Sequence, residues 1–237
     1  MPLKTRKVSN ELLDHLDAED PEAIRSRKDL HKINLFMGNM RWIKKQIEQL
    51  TKRSESSLNV IEVGAGDGQF LESLIQNKNL NLTGIDIQPR PKSISNEVDW
   101  IQENVLEMET VAQKNSDPVA VICNLILHHF SDDQLFKLGQ TLSTADHVII
   151  NEPSRRYLPL FMGYLAFPLL GKVTRHDMIV SIRAGFRNKE LIRYFPSKNA
   201  LAWMKPYAGA FATFSHERNN HHWRRPCRLG TGNRTTK

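Results

Sequence analysis

The sequence predicts an α/β domain: a doubly wound, mostly parallel sheet of seven strands with an antiparallel edge strand, an N-terminal helical lead and an apolar lid insertion. Three observations carry that prediction. Short, nearly unbroken apolar runs alternate with segments of helical period between residues 58 and 153, which is the pattern of parallel strands buried on both faces. A glycine-rich turn follows the first of these runs. Two more runs, "ALAWMKPY" and "AFATFSHE", stand close together near the end, as an antiparallel pair closing the sheet edge would.

The lead, residues 1–50, opens on a polar stretch with an acidic cluster at Asp14, Asp17, Glu19, Asp20 and Glu22. From Leu30 to Leu50 apolar residues recur at helical spacing, and Gly38 interrupts them, so two helices are expected with a break there. The main domain, residues 51–218, starts with "KRSESS" and the strand "LNVIEVG". The segment "GQFLESLIQ" carries a helical stripe. "LNLTGIDI", "VDWI" and "PVAVICNLIL" read as the next three strands. "SDDQLFKLGQTL" reads as a helix opened by Ser131 with Gln134 three places on, a capping-box pattern. "HVIINEP" is the fifth strand, and "NKELIRYF" a later helix.

Between them lies "YLPLFMGYLAFPLLGKV", the apolar part of a lid at 157–176. Pro159 and Pro168 interrupt it, and it is too short for a good spanning helix. Such a segment is a lid over an apolar pocket, a helix pair in the core, or a contact with a membrane surface.

The chain has 237 residues and a net charge of +7, enough to bury one sizeable core. From His216 onward six cations face Glu217 alone, so most of the excess sits in the tail at 219–237. That tail lacks apolar periodicity and reads as a disordered basic end rather than a nucleic-acid interface. Trp223 is its one aromatic residue, little for stacking on bases. The two cysteines, Cys123 and Cys227, form no disulfide framework. With a charged N-terminus in place of an apolar signal core, a cytoplasmic location is expected, with membrane association through the lid as the variant.

The turn Gly64-Ala65-Gly66-Asp67-Gly68 carries the most chemistry. Its spacing is G-x-G-x-G, one residue shorter than the G-x-G-x-x-G of dinucleotide-binding turns. Glu62 precedes it inside the strand, where a carboxylate repels a pyrophosphate and welcomes a cation. Asp86 ends the second strand, in position to accept from both hydroxyls of a ribose. A ribose and a positive charge without phosphates describe S-adenosylmethionine.

These residues resemble the class I S-adenosylmethionine-dependent methyltransferases, whose fold is Rossmann-like. "VIEVGAGDG" is similar to their first motif, "GIDI" to the acidic second-strand motif and "NLILHHFSD" to the fourth-strand motif. The lead "ELLDHLD" and the segment "RHDMIVSIRAGF" resemble the small-molecule branch that includes ubiquinone and menaquinone biosynthesis methyltransferases. The resemblance implies Glu62, Gly64, Ala65, Gly66 and Gly68 around the methionine part, Asp86 and Ile87 at the ribose, Asn104 and Val105 beside the adenine, and Asn124 anchoring the loop nearby. Family members usually carry Asp where Asn104 stands.

Methyl transfer asks the protein to align the acceptor and exclude water, and a phenol or enol acceptor also asks for a base. His176, next to Asp177, is the first candidate, followed by His129 and His128 after the fourth strand. The alternative for each is a histidine that only shapes the pocket. Asn124 opens N-L-I-L rather than the N-P-P-Y of amine and amide methylation. Asp132 and Asp133 are first-turn helix acids, and the tail histidines lack cysteine or carboxylate company, so no metal is expected. The reading is O- or C-methylation of a hydrophobic phenol, quinol or polyketide-like molecule. The alternatives are an RNA or protein methyltransferase, or a non-catalytic binding module on the same fold.

Overall fold

Strands buried on both faces build the centre of the molecule. The computed structural model describes residues 3–17, 19–111, 117–187, 190–195 and 211–217. Five strands, β1 (Leu58–Val63), β2 (Leu80–Asp86), β3 (Val98–Gln102), β4 (Val119–Asn124) and β5 (His147–Pro153), pair in parallel in the order β3-β2-β1-β4-β5. A sixth, β6 (Phe211–Glu217), runs antiparallel along the outer side of β5. The seven strands expected are therefore six among the described residues. "ALAWMKPY" lies outside them, as does the tail at 219–237.

The even and odd residues of each strand feed two cores. Val60, Ala120, Ile122 and Ile149 pack on Ile43, Ile47, Phe70 and Leu71. Val63, Val121, Cys123 and Ile150 pack on Leu135, Leu138, Phe186 and Tyr194 from the opposite face. Residues buried on both faces explain why these strands read as unbroken apolar runs.

The helical lead starts earlier than its periodicity suggests. Helix α1 spans Pro21–Met37, because Asp20 caps the backbone N–H groups of Glu22 and Ala23 and Pro21 occupies the first turn. Gly38, at φ 69°, ends it and admits α2, Asn39–Thr51. Behind the glycine turn only Gln69–Glu72 (α3) is helical, shorter than the "GQFLESLIQ" stripe implies. Helix α4, Asp132–Thr141, has the capping box of Ser131 and Gln134 in both directions.

The lid forms α5, Tyr157–Ala166, followed by a 3₁₀ turn at Phe167–Leu169. Helix α6, Lys172–Ala184, carries His176 and packs on α1, on α5 and on the 3₁₀ turn Leu127–His129. Of "NKELIRYF", residues 190–195 are described, and they hold a 3₁₀ turn at Glu190–Arg193.

Two arginines, Arg155 buried and Arg6 half-buried, fasten these pieces. Arg155 donates to the carbonyls of Leu3 and Gly185 and to both carboxylate oxygens of Glu190. Arg6 donates to the carbonyls of Leu127, His128, Phe130 and Ala184. The first residues of the chain are thereby strapped across the turn that follows β4.

Candidate functional site

The site sits at the carboxyl ends of β1, β2 and β4, where the strand order reverses and open α/β sheets bind ligands. Gly64, Gly66 and Gly68 have φ values of 70°, 58° and 71°, a left-handed region that side chains with a Cβ enter at a cost. The turn is tied back by Gly64 and Ala65, whose N–H groups donate to the carbonyl of Ile85. Gly66 donates to Asp86 Oδ2 at 2.8 Å, and Gln88 donates to Oδ1 of the same carboxylate at 2.8 Å. Asp86 thus shapes the loop while keeping lone pairs for a ribose. A Cβ on Gly66 would meet no atom within 4 Å, whereas one on Gly68 would lie 2.3 Å from Ile94. The open side of the turn is at Gly66.

Glu62 lies in mid-sheet between Gly84 and Ile122 and is 3% exposed. Its Oε2 is buried with no hydrogen-bond partner. Burial, then the charges of Asp67 and Asp86, push its carboxyl well above the ordinary range. A cation delivered to this pocket relieves all three penalties at once, so the donor set fits the ammonium and sulfonium of S-adenosylmethionine.

Farther along, Ile87 is exposed and Val105 buried. Asn104 opens a turn: its carbonyl oxygen Oδ1 accepts from Leu106 N–H, and its amide donates to Glu107. That occupies one of the lone pairs an adenine amino group would use. Asn124 ends β4 and accepts from the Asn151 amide at 2.8 Å, a loop anchor next to the site.

The histidines belong to a second polar cluster, built around an acid that sequence reasoning missed. Glu152 on β5 is fully buried. It accepts the backbone N–H groups of Ile126 (2.8 Å), Leu127 (2.7 Å) and His128 (3.2 Å), and its Oε2 lies 2.7 Å from His128 Nδ1. The only signal in the sequence is an acid interrupting the apolar strand "HVIINEP". Leu125, beside this turn, has φ 58° and is the one non-glycine residue with positive φ among the described residues. Such geometry persists where surroundings enforce it, and here Glu152 holds the three N–H groups that follow.

His128 Nε2 faces Glu11 Oε1 at 3.3 Å. Burial opposes the charged ring, but Glu152 and Glu11 outweigh it and push the His128 pKa up to about 9. Conversely, burial works against the charge of Glu11, yet His128 holds that carboxyl below its ordinary range. His128 is therefore an imidazolium near neutral pH with no free lone pair, which removes it from the base candidates named from sequence. Glu11, His128 and His129 each offer a ligand atom within 4.8 Å of the others, but the protons that bind His128 to its two carboxylates compete with any cation there.

His129 differs. Its ring lies 4.3 Å from that of His128, and burial, then the His128 charge, pull its pKa below the ordinary histidine value. It is neutral near pH 7 and partly exposed, with Nδ1 3.6 Å from Asp14 Oδ2. His176, the most open of the three, places Nδ1 2.9 Å from Asp177 Oδ1. Asp177 is buried and also accepts the N–H groups of Leu12 and Leu13. The strap of residues 11–14 thereby links His128, His129 and Asp177, a long-range arrangement with no local signal in the sequence.

The model of the family described as "Methyltransferase domain" matches residues 36–207, and the chain belongs to that family. Family and fold together define an S-adenosylmethionine-dependent methyltransferase. Among solved structures, the plantazolicin methyltransferase BpumL in complex with SAH is similar at 15% identity and a TM-score of 0.62, over 84% of this chain and 91% of that one. Human N-acetylserotonin methyltransferase in complex with SAM is similar at 13% identity and a TM-score of 0.56, over 87% and 61% of the two chains. The small RNA methyltransferase HEN1 follows at 16% identity and a TM-score of 0.51, over 78% and 26%. No curated protein matches the chain by sequence.

Proposed function

We propose that the enzyme methylates an oxygen or carbon of a hydrophobic small molecule of phenol, quinol or polyketide type. The observation that carries this reading is the ground after β4. There the apolar Leu125-Ile126-Leu127 segment leads to His129, a neutral and partly exposed histidine. A ring hydroxyl or enol needs a base of that kind, and an apolar wall excludes the water that would compete.

In this reading Glu62 takes the cationic end of the cofactor, Asp86 the ribose, and Ile87, Asn104 and Val105 border the adenine. Bound S-adenosylmethionine supplies a methyl carbon activated by its sulfonium. His129 accepts the acceptor's proton on the ring nitrogen that Asp14 does not face. His176 is the second candidate, its Nδ1 held by Asp177 so that Nε2 is left to accept. His128, clamped and charged, keeps the turn in place.

The test is methyl incorporation from labelled S-adenosylmethionine into phenols, quinols, small RNA and peptides. Turnover on a phenol or quinol, with His129→Ala lowering kcat by about 10²–10⁴-fold and removing the acid-side limb of the pH profile, where protonation silences the base, is the expected result. Turnover on RNA or peptide with none on the rings would refute the substrate class.

A further inference from the structure

We propose that the outward face of α5 docks the enzyme onto a membrane surface carrying anionic lipid, with the helix lying in the interface. The inference rests on the surface alone and not on the acceptor assigned above.

Helix α5 is apolar on both faces. Inward, Leu160 joins Leu3 and Ile182 in a small core of its own, and Gly163 lets Met178 approach. Outward, Tyr157, Leu158, Phe161, Met162 and Leu165 are each more than half exposed, and Leu169 in the turn that follows is 80% exposed. No residue from Tyr157 to Ala166 is charged. A helix on a water-facing surface carries polar residues on its outer side, and a monomer rarely shows a contiguous apolar patch above a few hundred Å². Something other than water covers this one.

Charge selects what covers it. Residues 153–176 include Arg155, Arg156, Lys172 and Arg175 and no acidic residue. Arg156 and Lys172 are exposed at the two ends of the patch, and Arg175 lies over the Phe167 ring. From α1, the Arg25 side chain packs beside Gly171. The acid at that end, Asp29, is buried and accepts from Gly171 N–H and Thr174. An apolar face rimmed by cations, with aromatic residues among its exposed side chains, complements an anionic headgroup layer over acyl chains. A second copy of the chain would bring the same cations against one another across a two-fold axis, which disfavours self-association. No helix among the described residues is long and apolar enough to cross a membrane, and α5, about 15 Å long, fits the plane of the interface instead.

Co-sedimentation of the full chain with phosphatidylcholine vesicles, with and without phosphatidylglycerol, tests the proposal. We expect binding to the anionic vesicles that is at least about fivefold weaker without phosphatidylglycerol, and weakened to a similar degree by Lys172→Glu. Phe161→Asp/Leu165→Asp changes only exposed positions; it should reduce binding by on the order of tenfold or more while S-adenosylmethionine affinity and circular dichroism stay at wild-type values. Three results would overturn the proposal. One is no binding to either vesicle. Another is unchanged binding by the double variant, which would assign attraction to cations elsewhere in the chain. The third is a dimer in light scattering that the double variant dissolves, which would assign the face to a second copy.

Discussion

Replacing Glu152 by Gln tests the second polar cluster directly. In the wild type, His128 titrates from an ordinary 6.5 in the unfolded chain to about 9 in the fold. A raised folded pKa means stability that is fully present below pH 6.5 and lost as pH rises through 9. A shift of that size is worth about 3 kcal/mol, or a fall in Tm of about 6–12 °C for a chain of this length. Gln keeps the shape but not the charge, and its NH₂ faces groups that are themselves donors. The variant should lose about 3–5 kcal/mol at pH 6.5, the usual consequence of breaking a buried charged pair. It should also lose most of the decline between pH 6.5 and 9. Urea unfolding at pH 6.5, 7.5 and 9, read by fluorescence, measures both, and His128→Asn supplies the slope without the titrating ring. A wild type whose stability does not fall over this window would refute the reasoning. So would a Glu152→Gln variant that keeps the same slope.

The remaining expectations concern the cofactor pocket. Glu62→Gln removes an unpartnered buried carboxylate, so the cofactor-free protein should gain about 1–3 kcal/mol at pH 7 while calorimetry shows S-adenosylmethionine binding weakened by about tenfold or more. The sign follows from the raised carboxyl: the folded group keeps its proton after the unfolded one has lost it, so stability falls as pH rises from the ordinary 4.5 through the folded value, and the variant should escape that loss. Asp86→Ala frees the Gly66 and Gln88 N–H groups and removes the acceptor proposed for the ribose, so it should bind S-adenosylmethionine poorly while remaining folded by circular dichroism. Gly66→Ala and Gly68→Ala share the backbone cost of about 1–2 kcal/mol, but only Gly68→Ala also collides with Ile94. Denaturation midpoints should fall further for the second.

Much of the parallel sheet, and the turn proposed here to hold the cofactor, was legible in the sequence because local rules write them there. The apolar runs, the G-x-G-x-G turn, Glu62 and Asp86 are fixed by strand burial and turn geometry within about thirty residues of chain. The helix start at Ser131 was legible from its capping box, whereas the equally local cap at Asp20 and Pro21 was passed over because the stretch 21–29 behind it is only weakly amphipathic and packs on α6.

The three histidines show what only the tertiary structure decided. "HH" and "RHD" are short strings whose chemistry depends on acids far away in sequence. Glu152 and Glu11 make His128 a fixed cation, the His128 charge and burial make His129 neutral, and Asp177 is shared between His176 and the strap at Leu12. Proton affinity is set by burial and charges within a few ångströms, and those distances exist only once β5, α6 and the first residues of the chain have come together. The sequence alone determined the parallel α/β sheet and the enzyme class, because apolar runs and a glycine-rich turn are local features. Which histidine can take a proton, and that the apolar segment turns half of itself to the outside, are decided by the packing of the folded chain.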